Sequence, residues 1–155
     1  MSRAEMRRGA RLSAVQALYE MEIGGRGVVE ARAEFEAFWI GKEVEDIELP
    51  KAEVAFFRDL LGGVVREQRL VDRSVDELLA SGWPLNRVEA VVRAILRAGA
   101  DELAFRKDEP ARAVISEYVA VARSFYEGEE VGMVNAVLDR MAREVRAEEF
   151  DAPAA

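Results

Sequence analysis

Apolar residues return every three or four positions along nearly the whole chain, and nowhere do they alternate with period two for long enough to mark a strand. The first stripe is Leu12, Val15, Tyr19 and Ile23. Ser2 followed by Glu5 forms a capping box ahead of it, so a helix is predicted from almost the first residue until Gly24, Gly25 and Gly27 stop it. A second helix follows on Val28, Arg32, Phe35, Phe38 and Trp39, with Gly41 as terminator; aromatic residues at this spacing read as core packing. Residues 42–49, Lys-Glu-Val-Glu-Asp-Ile-Glu-Leu, form an acidic loop, and Pro50 suits the first turn of the next helix.

From Lys51 the positions Val54, Phe57, Leu61, Val64, Gln68 and Val71 are helical, widened by Leu60 and Val65. Gly62 and Gly63 fall inside this helix at a cost of about 1 kcal/mol each relative to alanine, which implies either close approach of another helix or a kink. Val75, Leu78 and Leu79 continue the pattern, though Ser74 with Glu77 has the form of a new helix start, leaving that boundary open. After a break at Ser81-Gly82-Trp83-Pro84, Val88, Val91, Val92, Ile95, Leu96, Gly99 and Leu103 make the most apolar helix, which should be central. Arg87, Arg93 and Arg97 along it read as surface or ion-pairing residues. A polar loop over 107–113 leads to a helix bearing Val114, Ile115, Tyr118, Val119, Ala122 and Phe125 and ending at Gly128. The last helix carries Val131, Val134, Val137, Leu138, Met141 and Val145, with Asn135 read as a buried hydrogen-bonding group among them. Six or seven helices with short connections imply an all-α bundle, a single domain over residues 1–150 with a frayed tail at 151–155.

The length of 155 residues, half of them apolar and a third charged, suits one globular unit with a real core. With no cysteine there are no disulfides, thiolate metal sites or thiol nucleophiles, and with no histidine the usual zinc ligand and commonest general base are gone. An enzyme is therefore disfavoured and no metal or cofactor is expected. No apolar run approaches the roughly 20 residues of a membrane span, and the arginine-rich start lacks a signal-peptide core, so a cytoplasmic protein is expected.

Charge singles out one segment. The chain carries 22 basic and 30 acidic side chains, net −8, yet residues 1–11 hold Arg3, Arg7, Arg8 and Arg11 against Glu5 alone. The remainder, 18 basic against 29 acidic, is net −11. At about 100° per residue Arg3, Arg7 and Arg11 share a stripe beside the apolar one. Arginine forks bind phosphate oxygens at two points and a nearby phenol, Tyr19, can stack on an unpaired base, a combination that points to single-stranded RNA. Arginines at a helix N-terminus also oppose the macrodipole, so something other than helix stability favours them there. The plain alternative is a solvated helix terminus. An acidic body restricts nucleic acid to a local site and makes a basic protein partner plausible.

Several ordered blocks carry a family resemblance: Arg7-Arg8 with Ala14-Val15-Gln16-Ala17-Leu18-Tyr19, Phe57-Arg58-Asp59-Leu60-Leu61, Arg93-Ala94-Ile95-Leu96-Arg97 with Glu102-Leu103, and Val134-Asn135-Ala136-Val137-Leu138-Asp139. From about Arg7 to Met141 the chain resembles the NusB transcription antitermination factors. The resemblance implies a fold of two helical subdomains and a protein that pairs with the ribosomal protein NusE, binds boxA RNA, and with NusA and NusG modifies RNA polymerase so that ribosomal RNA operons are read through. It implies that Arg7, Arg8, Arg11, Gln16 and Tyr19 form the RNA-facing segment, to which the charge pattern adds Arg3, and that Glu129 faces NusE. Gly9 stands where some relatives have a third arginine; Ala98 and Asp101 replace a larger apolar and an aromatic residue, and Ala136 a glycine. Two rivals stay open, a helical adaptor that binds only protein and an RNA-recognition domain related to ribosomal RNA methyltransferases. The latter lacks support here, because the chain has no catalytic cysteine and no Gly-rich cofactor loop after a strand. Monomer and homodimer are both compatible with the sequence.

Overall fold

The computed structural model describes residues 3–39, 51–79 and 88–150, and every regular element among them is a helix. The order is α1 (Arg3–Gly24), α2 (Val28–Trp39), α3 (Lys51–Arg66), α4 (Gln68–Leu78), α5 (Ala90–Phe105), α6 (Ala111–Arg123), α7 (Glu129–Val145) and a single turn, α8 (Ala147–Phe150). Ser2, Gly41, the acidic loop 42–49, Pro50, the break at 81–84, Arg87 and the tail 151–155 lie outside the described residues.

The glycine stop after α1 stands where the sequence places it, with Gly25 at φ +67° completing the turn. The open boundary falls at Glu67, and Ser74 lies inside α4. The reason is packing: Val71, Val75 and Leu78 must share one buried face, which an unbroken helix through Ser74 provides. The interruption at Glu67 is only a bend, because the Glu67 N–H donates to the Gly63 carbonyl and the Val71 N–H to that of Glu67, both at 2.9 Å.

Helix α5 is central, as its composition implies. It packs against α1, α3, α4, α6 and α7, and fully buries Ile95, Leu96 and Leu103, each contributing about 1.5–3 kcal/mol through removal from water. The buried side chains from α1 to α7 form one continuous cluster. Two glycines let the helices close: a Cβ at Gly99 would stand 2.8 Å from Leu138 Cδ1, and one at Gly63 2.8 Å from Asp101 Oδ2. Close approach, rather than a kink, therefore accounts for Gly63.

Two sequence expectations are corrected. Asn135 is exposed, because Val134, Val137, Leu138 and Met141 fill the inward stripe of α7 and Asn135 is rotated about 100° away from Val134. Helix α6 ends at Arg123 instead of Gly128: the Ser124 and Phe125 N–H groups turn back to Val121 and Ala122 carbonyls, each at 3.0 Å, and tighten the last turn. Phe125 thus leaves the core and is 40% exposed.

The end of α5 is secured from the far terminus. Arg146 is fully buried, and its guanidinium donates to the carbonyls of Glu102 (3.1 Å), Leu103 (2.9 Å), Arg106 (2.6 Å) and Glu109, the first of which also takes the Arg106 N–H at 3.0 Å as α5 ends. Glu149 accepts the Ala111 N–H at 2.8 Å, at the start of α6. Together they fix the turn carrying Asp108 and Glu109, which faces the arginines of α1.

Candidate nucleic-acid interface

Helix α1 lies against α3, α5 and α6, and its inward residues Ala10, Ala14, Val15, Ala17 and Leu18 are buried. A helix seated this way has a narrow outer face. The arginines of the N-terminal segment fall on different sides of that boundary.

Arg11 is inside. Only 2% of it is exposed; Nε donates to Glu102 Oε1 at 3.0 Å, and Nη2 donates to Glu102 Oε2 and Glu109 Oε2, both at 2.6 Å. The Tyr118 hydroxyl donates to the same Glu102 Oε1 at 2.8 Å. Burial by itself would lower the Arg11 pKa, but the hydrogen bond to Glu102 and its charge raise it well above the ordinary guanidinium value. Tyr118 is pushed far up as well, by burial first and then by the Glu102 charge. Arg11 therefore corrects the sequence expectation of a surface phosphate ligand, since its fork is spent on the buried Glu102 and the half-buried Glu109.

Arg7 sits at the rim. Its guanidinium carbon stacks 4.3 Å from the centre of the Phe56 ring, and Nη1 lies 3.5 Å from Asp108 and 3.7 Å from Glu109. Arg106 faces the same ring at 4.9 Å. Arg8 is outermost, with its side chain 54% exposed and its fork on Glu117: Nε to Oε2 at 2.8 Å and Nη2 to Oε1 at 3.1 Å. This contact raises the Arg8 pKa, and the hydrogen bond from Arg8 holds the Glu117 carboxyl below the usual range. Arg3 opens α1, but its side chain lies outside the described residues.

Gln16 is exposed and Tyr19 half-buried; Gln16 lies eight residues beyond Arg8, about 12 Å along the axis. Both line a groove of about 550 Å³ whose apolar walls include Phe35, Val91 and Phe125, with Glu20 and Glu34 at its polar edge. Glu129 is exposed as the first residue of α7, following Gly128 at φ +87°. Arg93 and Arg97 are ion-paired, to Glu22 at 2.8 Å and to Asp72 at 2.7 Å respectively. Among the described residues no acidic cluster is arranged to hold a metal ion.

The structure thus leaves Arg8 exposed near the start of α1 with Arg7 mostly covered beside it, brings Gln16 and Tyr19 to a groove further along, and leaves Glu129 on a separate helix. Sequence reasoning missed Glu102, Glu109 and Glu117, the carboxylates that face the arginines. Glu102 had a readable signal, a charge within the most apolar helix that must have a cationic partner when buried.

The sequence profile of the NusB family matches residues 8–143. The chain belongs to the NusB family. It is a transcription antitermination factor of that non-enzymatic family. It is 62% identical over 148 residues to the transcription antitermination protein NusB of Rhodopseudomonas palustris strain TIE-1, covering 96% of this chain and 85% of that one. The solved NusB of T. maritima superimposes with a TM-score of 0.78 at 27% identity, covering 94% of this chain and 97% of the other. A crystal structure of the antitermination factors NusB and NusE in complex with double-stranded RNA shares the fold, with a TM-score of 0.76 at 24% identity and coverage of 90% and 98%. The all-helical architecture is thus the NusB fold. Among the described residues no helix is long and apolar enough to cross a membrane.

Proposed function

We propose that this chain binds single-stranded boxA-type RNA on the outer face of α1 together with NusE, and acts with NusA, NusG and RNA polymerase in the cytoplasm to carry transcription through ribosomal RNA operons. The observation that carries this reading is the succession along one helix of an exposed arginine fork at Arg8, rimmed by Arg7, and an apolar groove entered by Gln16 and Tyr19. Phosphate fits the fork, and base faces fit the groove, where the acidic edge would repel phosphate. The complex of a NusB of the same fold with NusE and double-stranded RNA supports the choice of NusE and RNA as partners. Arg11 has no part in the contact, so the phosphate track is shorter than the sequence implied. The rival reading, an adaptor that binds only protein, draws on the carboxylates that already face Arg7 and Arg8, and failure to retain labelled boxA-type RNA would establish it.

Arg8→Ala should weaken RNA binding and flatten its log–log salt dependence by at most about 0.7, the value for one phosphate on a single strand. Tyr19→Ala should cost about 1–3 kcal/mol of binding with little change in that slope, because stacking is lost but no charge. Salt titrations beside melting curves separate the two effects, and normal affinity and slope in both variants would remove α1 from the RNA site.

Glu129 is proposed to face the basic NusE. Being exposed at the start of α7, it can be changed to lysine for about 0.5 kcal/mol or less in surface terms, together with a small loss from putting a cation at a helix N-terminus. Glu129→Lys should fold and bind NusE more weakly in calorimetry; unchanged affinity excludes it from the interface.

A further inference from the structure

We propose that Glu117 sets an affinity threshold for RNA: it is the protein's own anion in the Arg8 fork, and it yields the fork only to a strand that also binds elsewhere along α1. The inference rests on the reading that Arg8 takes a phosphate. Its starting point is the geometry: both Glu117 oxygens meet the Arg8 fork, at 2.8 and 3.1 Å, in the two-point arrangement that a phosphodiester's non-bridging oxygens would adopt. One site, two anions of equal formal charge and similar shape, compete for the same donors.

The partners differ in their freedom. Glu117 is the more sheltered, its side chain 19% exposed against 54% for Arg8, and it projects from α6 with Arg11 Nη1 3.9 Å from Oε2, the oxygen that accepts from Arg8 Nε. Arg8 is the more exposed partner and the one with room to swing outward. An ion pair this exposed is worth about 1 kcal/mol or less, so RNA can displace it. A phosphate meeting Arg8 alone must break two hydrogen bonds to make two and then lies near a released carboxylate, which leaves almost no gain. A strand that also places bases against Tyr19 and Phe125 has a surplus from stacking and keeps the exchange favourable. The carboxylate thereby subtracts a similar amount from every RNA, which matters most for those bound by charge alone.

The test uses the full chain with a boxA-type oligonucleotide and a uridine homopolymer of equal length, comparing wild type, Glu117→Gln, Arg8→Ala and the double variant. Glu117→Gln should bind both RNAs about three- to tenfold tighter, with a steeper salt dependence, so that the homopolymer becomes bound at a concentration where wild type retains only the boxA-type strand. The gain should vanish when Arg8 is also alanine. If Arg8→Ala weakens binding but Glu117→Gln does not tighten it, Glu117 merely positions the arginine and the proposal is overturned. A gain that survives in the double variant also overturns it, because a general loss of negative charge would then be responsible. If Arg8→Ala leaves both RNAs unaffected, the reading of Arg8 as a phosphate ligand fails, and this inference with it. Glu117→Ser, which also removes the charge, repeats the comparison should the glutamine variant fold poorly.

Discussion

Arg11→Ala should destabilise the fold by about 3–5 kcal/mol, the usual cost of removing one partner from a buried ion pair. The loss leaves Glu102, whose side chain is 3% exposed, with its carboxylate facing only the Tyr118 hydroxyl in the space Arg11 vacates, and it strips Glu109 of its 2.6 Å contact. Because Glu102 and Tyr118 lie on α5 and α6, one substitution on α1 disturbs the junction of three helices. Arg8→Ala, three residues away, should cost less than about 1 kcal/mol in stability, since its partner contact is exposed. Urea unfolding measures both. A double-mutant cycle with Glu102→Ala should show strong coupling, the pair losing much less than the sum of the singles. Near-normal stability for Arg11→Ala combined with lost RNA binding would return Arg11 to the surface site.

The contrast between Arg8 and Arg11 shows where sequence reading reached its limit. The helices were legible because apolar side chains repeat with the period of the helix, a local property that Val54 to Val64 or Val134 to Met141 display without reference to the rest of the chain. The family blocks likewise identified the fold. Arg11 belongs by periodicity with Arg3 and Arg7, and nothing within α1 distinguishes it. Its burial depends on Glu102 and Glu109, which stand 91 and 98 positions later and become its neighbours only through packing. The same holds for the far wall of the groove, which Phe125 supplies because α6 ends one turn early, and for Arg146, whose four carbonyl acceptors come from the end of α5 and the turn after it. Periodicity separates inside from outside for apolar residues. For a charged residue the partner decides, and the partner is a matter of tertiary structure.

Asp101 gives the strongest expected pH effect. It is 2% exposed on α5, pressed against Gly63 of α3, and its Oδ1 has no hydrogen-bond partner. Burial, chiefly, pushes its pKa up to about 7; Arg66 and Arg106 pull it down, and Glu102 and Glu67 add to the rise. In the unfolded chain the same carboxyl titrates near 3.9. Between those two values the folded state holds the proton that the unfolded state has released, so stability falls as pH rises through this window and levels off above about 7. At about 1.4 kcal/mol per pH unit, a shift of about three units corresponds to a loss on the order of 4 kcal/mol. Asp101→Asn keeps the shape, still fits beside Gly63 and cannot ionise. The variant should match wild type near pH 4 and exceed it progressively up to pH 7–8. Measuring the difference between the two proteins, rather than wild type alone, removes the other carboxylates, among them Glu117, which Arg8 holds below the usual range and whose protonation destabilises the fold in acid. Paired unfolding curves at pH 4.5, 6 and 8 suffice, and a difference that does not change with pH would mean that Asp101 is ionised throughout, with water or an arginine reaching the carboxylate beside Gly63.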